Sequence, residues 1–226
     1  MEPDQAAATR ERPVRVWDFP TRLFHWLTVA LVFGAWATDR LNWSNLHVRL
    51  GETLLALVLF RLMWGCVGSE TARFRSFVAS PAAALRHLRH LFRREPDVEV
   101  GHNPAGGWMV LLLLALLLAE TLSGLYLNND IANEGPLSEI VPASIANAIS
   151  AVHSYGWYVL LGAVVLHLCA IATYAIAKGH NLLRPMITGL KRLPSTIAAP
   201  ARASLWLAAL LLAFAVAIVV LLAVYL

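Results

Sequence analysis

VHSYGWYVLLGAVVLHLCAIATYAIAK, from Val152 to Lys178, is a long apolar run with one histidine at its start, His153, and a second within it, His167. They are fourteen residues apart. At about 3.6 residues per turn this is just under four turns, so both rings leave one helix face, about 21 Å apart along the axis. An ionisable side chain within a membrane span is costly and marks function by default. Two on one face, near opposite ends of a span, point to two stacked sites, one towards each side of a bilayer.

Composition sets the class. The 226 residues are 58% hydrophobic and only 14% charged, with a mean hydropathy of +0.62. A soluble domain carries about 25% charged residues, so this is an integral membrane protein. The first thirteen residues (MEPDQAAATRERP) are polar, and no A-x-A-like exit follows the first apolar run, so no cleavable signal peptide is expected. Cys66 and Cys169 sit in or beside apolar runs, and there is no CxxC or CxxCH. That argues against a disulfide framework, a thiolate zinc pair and a covalently attached haem.

Five runs are long enough to cross about 30 Å of hydrocarbon. They are residues 20–39, 46–66, 107–128, 148–177 and 204–225. Pro20 suits a first helical turn, Asn45 could cap the second run, and Gly179 could close the fourth. Fifteen of the eighteen Lys and Arg residues fall in three segments: from the N-terminus to Arg22 at the start of the first run, between the second and third, and between the fourth and fifth. Alternating helices put all three on one side. The opposite loop, from Asn128 to Ser150, carries Asp130, Glu134 and Glu139 and no Lys or Arg. The positive-inside rule then makes the N-terminus cytoplasmic and the C-terminus periplasmic. Membrane topology thus accounts for the basic charge, and no nucleic-acid partner is implied.

This topology gives each histidine a depth. His25 (FPTRLFHW) lies just inside the cytoplasmic end of the first run, and His47 (LHVRLGE) opens the second from the outer side. In the fourth run His153 is outer and His167 is deeper, towards the cytoplasm. Depth alone pairs His47 with His153 and His25 with His167. Neutral imidazole is a good ligand for iron, copper or zinc. Zinc normally takes a third or fourth protein ligand, often carboxylate or thiolate, and neither is available at both heights. Two axial imidazoles would instead complete a haem iron already held by four porphyrin nitrogens. Gly51, one turn from His47, and Gly156 and Gly162 could admit such a bulky group, or equally let helices pack closely.

Arg61 (LFRLMWG) lies fourteen residues beyond His47, on nearly the same face. A haem propionate on the inner side could be its counter-charge, and snorkelling to lipid phosphate is the plainer alternative. Glu120 (LLAETLSGL) is a carboxylate deep in an apolar run, where it could pair with a base, carry protons for a quinone, or stay neutral and hydrogen-bonded. His87 and His90 lie in a basic stretch (AALRHLRHLFRR) that reads as an interfacial amphipathic helix. His102 and His180 fall at the inner interface. These last four read as solvated or interfacial.

VWDFPTRLFHW, LHVRLGETLLALVLFRLMWG, GHNPAGGWMVLLLLAL, VHSYGWYVLLGAVVLHL and NLLRPMITG, in this order, resemble the bacterial di-haem cytochrome b family, the cytochrome b-561 group that includes the cytochrome b subunit of nickel–iron hydrogenases. The resemblance spans residues 14–190. It implies an all-α integral membrane protein of the bacterial inner membrane, with a four-helix haem-binding bundle. Two b haems would be held non-covalently, with His25, His47, His153 and His167 as ligands. It also implies electron transfer between a quinone, ubiquinone or menaquinone, and an extracytoplasmic hydrogenase or c-type cytochrome. Some relatives instead oxidise superoxide and reduce quinone.

Beyond that core, residues 191–226 are a basic linker and a fifth apolar helix without ligand-type residues; residues 1–13 are a polar N-terminus. Two other classes of function compete for the same residues. A histidine-dependent transporter should show a polar pathway or broken repeated helices, which the sequence lacks. A structural anchor would leave four intramembrane histidines without a purpose.

Overall fold

The computed structural model describes residues 11–91, 93, 98–127, 137 and 141–225. Arg10, Arg94, Asp130, Glu134 and Glu139 lie outside the described residues. A short strand β1 (Glu11–Arg15) leads into α1 (Phe19–Arg40) and α2 (Ser44–Val67). An amphipathic helix α3 (Pro81–Arg89) precedes α4 (Pro104–Gly124). Then come α5 (Ala143–Thr173), the short α6 (Leu183–Thr188), strand β2 (Leu190–Pro194) and α7 (Leu205–Tyr225).

Local chemistry sets the helix ends. The α1 N-terminus has Pro20 in its first turn, and the Asp18 carboxylate accepts from the Thr21 amide at 2.8 Å, satisfying one of the four donors a helix start leaves open. In α4, Asn103 caps with an acceptor 2.7 Å from the Gly106 amide, and Pro104 follows it. The start of α2 departs from expectation: its cap position is Trp43, without a side-chain cap bond, and Asn45 lies inside the helix. The fourth run starts earlier than hydropathy indicates, straight after Pro142, and ends in a π-helical turn, Tyr174–Lys178. Gly179 stops it with φ 74°, the left-handed region that only glycine adopts without strain.

Among the described residues, four helices are long and apolar enough to cross a membrane: α2, α4, α5 with its π turn, and α7. The 22-residue α1 is long enough but carries Arg22, Asp39 and Arg40 at its ends, and is not among the four. Large apolar side chains on α1, α5 and α7 face outward, Tyr155, Ile176 and Trp206 among them. In water such a surface would aggregate; a bilayer solvates it.

The packing centres on α2. It meets α1, α4 and α7, and α4 in turn meets α5. Among the described residues, three of the four apolar clusters draw on it: Leu55 and Ala56 with Leu125 and Val219; Phe60 and Trp64 with Ala208 and Ala215; Leu54 and Val58 with Leu117 and Leu160. By contrast, α1 and α5 are not a packed pair. Three sides of a four-helix bundle are closed and the α1–α5 side is not.

The three basic segments meet at one end. There β1 pairs antiparallel with β2, Arg12 opposite Leu193 and Val14 opposite Lys191. A two-stranded ribbon is marginal alone, and its support is tertiary. Val14, Val16, Trp17 and Leu193 form a buried cluster, and the Thr71 hydroxyl donates to the Val16 carbonyl at 2.7 Å. Lys191 Nζ donates to the Glu99 carbonyl at 2.6 Å, and the Glu70 amide to the Ala201 carbonyl at 2.9 Å. Segments that charge alone places on one side are knitted into a single cap.

Candidate functional site

The histidines at the uncapped end face each other. His47, near the start of α2, and His153, on α5, have ring centroids 6.2 Å apart with their planes at 87°. Each ring is held from behind. His47 Nδ1 is 2.9 Å from the carbonyl of Ala35 on α1, and His153 Nδ1 is 2.9 Å from the carbonyl of Glu120 on α4. A carbonyl only accepts, so each Nδ1 carries the proton and each Nε2 keeps a free lone pair. This is the arrangement by which proteins fix the tautomer and orientation of a metal-ligating histidine.

At the capped end, His25 on α1 lies within electrostatic reach of His167 on α5. The His25 ring is edge-on to Trp26 at 5.0 Å, and its Nδ1 is buried without a hydrogen-bond partner. His25 and His167 stand on the two helices that do not pack together, so this pair flanks the open side of the bundle. The fold thus sets His47 beside His153, and His25 within electrostatic reach of His167, which His102 also approaches.

Arg61 sits deep in α2 with 2% of its surface exposed. Its guanidinium donates to the Ala72 carbonyl at 3.2 Å, lies 5.3 Å from the centre of the Phe74 ring, and is within reach of the Asp18 charge. Asp18 is itself buried, accepting from Trp64 Nε1 at 3.0 Å as well as capping α1. Gly51 is open on its side-chain side: a Cβ there would meet no heavy atom within 4 Å, and the same holds for Gly162. At Gly156 a Cβ would lie 2.6 Å from a Glu120 carboxylate oxygen.

Expectation fails at His102. Its ring lies between Trp17 and Phe77, each centroid 4.5 Å away, and its Nδ1 is buried without a partner. Burial, reinforced by the charges of Arg61 and His167, pushes its pKa down to about 3. The ring is thus packed between aromatic side chains at the capped end, not freely solvated. His87 also has a protein partner, Nε2 lying 2.5 Å from the Tyr174 hydroxyl with the two rings stacked.

The sequence does not reveal the groups behind the His47 and His153 rings. Two are backbone carbonyls, which have no side-chain signature. A third is Ser123, whose hydroxyl is 3.2 Å from His153 Nδ1.

The paired imidazoles fit a group that brings its own equatorial donors. Among the described residues no three His, Cys, Asp or Glu side chains are grouped to hold a metal ion by themselves. Two metal–nitrogen bonds of about 2 Å and two imidazole radii come to about 6 Å, which matches the His47–His153 separation. The unpacked α1–α5 side and the open Gly51 leave space for a flat, apolar macrocycle.

A helical membrane bundle with opposed, carbonyl-anchored imidazoles belongs to the class of membrane b-type cytochromes. The chain is a member of the prokaryotic cytochrome b561 family, whose family model matches residues 16–189. It is thus a haem-binding electron-transfer protein of the membrane. No curated protein and no solved structure matches it significantly. The match ends before α7, which lies outside the shared core.

Proposed function

We propose that the chain passes electrons across the bacterial inner membrane between the quinone pool and an extracytoplasmic redox partner, a hydrogenase or a c-type cytochrome, using two b haems. The observation that carries this reading is the opposed pair His47 and His153, each ring fixed through Nδ1 so that Nε2 is presented to the other. His25 and His167 form the second ligand pair, on the capped side. The polypeptide would span the membrane five times, with α1 made membrane-compatible by packing on α2. The basic cap faces the cytoplasm, by the positive-inside rule.

Bound b haem would supply a one-electron iron couple, and His47, His153, His25 and His167 are the residues that would hold it. The chain's own residues hold, orient and insulate. The Ala35 and Glu120 carbonyls fix the outer rings. Gly51, one turn from His47, leaves the helix surface low enough for a macrocycle to lie against it. Arg61 supplies positive charge at the inner level, where a propionate would be compensated. The short outer loops offer the docking surface, and quinone is exchanged at one membrane face.

The test is cofactor analysis of the purified protein. About two non-covalent b haems per chain, with axial bis-histidine spectra, are expected. Protein that stays colourless after reconstitution with haemin, or a single haem that survives replacement of all four histidines, would rule the reading out.

A further inference from the structure

Glu120 is an acidic residue near the C-terminal end of α4, and its carbonyl and its carboxyl both lie against His153. Its carbonyl accepts from His153 Nδ1 at 2.9 Å and from the Ser123 hydroxyl at 3.0 Å. One of its carboxylate oxygens, Oε1, stands 3.6 Å from the same Nδ1. The other, Oε2, occupies the place of a side chain at residue 156, where a Cβ would come within 2.6 Å of it. His153 and Gly156 are three residues apart and so share a face of α5. The carboxyl thus sits in a slot between the His153 ring and bare backbone, and the slot exists only because residue 156 is glycine. Gly124 closes the ring's edge from α4: a Cβ there would be 3.1 Å from His153 Cε1.

The opposing ligand is supported differently. His47 Nδ1 has the Ala35 carbonyl at 2.9 Å. Asp39 is near enough to influence His153 electrostatically but acts from α1, across the site. Of the two rings, His153 is the one with a carboxyl set against its Nδ1 edge by a helix contact with room made for it.

We propose that Glu120 is a positioning residue for His153 and that its carboxyl, seated at Gly156, sets the potential of the outer haem. The inference rests on reading His153 as an axial ligand. In its ionised form, a carboxylate beside the Nδ1–H edge raises the basicity of the ring and strengthens its donation through Nε2. Stronger donation favours the oxidised iron and lowers the potential. An acidic group in hydrocarbon is costly, and the slot gives it an imidazole edge to face.

The experiment is a redox titration of the full-length, haem-loaded protein, followed by visible and low-temperature electron paramagnetic resonance spectra. His153→Ala identifies the outer couple as the one it loses. Glu120→Gln should keep both haems, raise the outer midpoint, shift that haem's low-spin signal and leave the inner couple unchanged. Gly156→Ala should do the same, because its methyl displaces the carboxyl alone. In a Glu120→Ala background, Gly156→Ala should add nothing, the non-additivity expected of a direct contact. Should Glu120→Gln fail to accumulate, Gly156→Ala decides. Wild-type potentials and spectra in the variants that do accumulate, with His153→Ala lacking one haem, would overturn the proposal. Retention of both haems in His153→Ala would instead overturn the assignment of the ligand.

Discussion

The imidazoles of His47 and His153, from helices that do not follow one another in sequence, stand 6.2 Å apart and edge-on at 87°. Each Nδ1 lies 2.9 Å from a backbone carbonyl, that of Ala35 for His47 and that of Glu120 for His153. Removing either ring should therefore empty the same site. His47→Ala and His153→Ala are each expected to lower haem content from about two per chain to about one and to leave the same surviving midpoint. His25→Ala and His167→Ala should leave the other. Distinct surviving haems in the His47 and His153 variants would refute the pairing.

Gly51 separates a macrocycle cradle from an ordinary helix glycine. Nothing lies within 4 Å of a Cβ placed there. If only helix propensity mattered, Gly51→Ala would stabilise the helix by up to about 1 kcal/mol. As part of a cradle, Gly51→Leu should reduce outer-haem occupancy while circular dichroism shows unchanged helix content. Full occupancy in Gly51→Leu would remove the residue from the site.

Asp18 joins three tasks at the capped end: it caps α1, accepts from Trp64 and lies within reach of buried Arg61. Losing a cap costs about 1 kcal/mol, and stranding a buried donor about 1–3 kcal/mol more. Asp18→Ala should thus destabilise the protein by roughly 2–4 kcal/mol, read as earlier thermal unfolding in detergent. An unchanged transition would show that the cap does not support the bundle.

His102 predicts an acid-sensitive cap. Its pKa falls from the ordinary 6.5 to about 3 in the fold, so between these values the unfolded chain binds the proton and the folded one does not. Its contribution to stability is complete above pH 6.5 and is lost as pH falls towards 3, with a slope of about 1.4 kcal/mol per pH unit. His102→Leu should flatten the stability profile between about pH 6.5 and 5, above the range where most carboxylates titrate. A profile parallel to wild type would count against it.

Much of the frame is legible in the amino-acid order alone. Apolar runs of sufficient length mark the helices, arginine placement marks their sidedness, and the fourteen-residue spacing of His153 and His167 marks two levels. The β1–β2 ribbon is not legible. ERPVR and LKRLP alternate poorly, include prolines and are separated by most of the chain; a cluster around Val16 and Leu193 holds them. His102 escapes a sequence reading for the same reason, since Trp17 and Phe77, which enclose it, arrive from distant segments.

By itself, the sequence determined which runs are long and apolar and how the histidines are spaced along them, because both follow from residue type and rise per residue, which are local quantities. Tertiary structure decided how those segments stand beside one another. It made α2 the packing hub in place of the histidine-bearing α5, left the α1–α5 side open, and set the Ala35 and Glu120 carbonyls behind the two facing rings. Those outcomes depend on which side chains interlock across helices, and no periodicity within a single run encodes them.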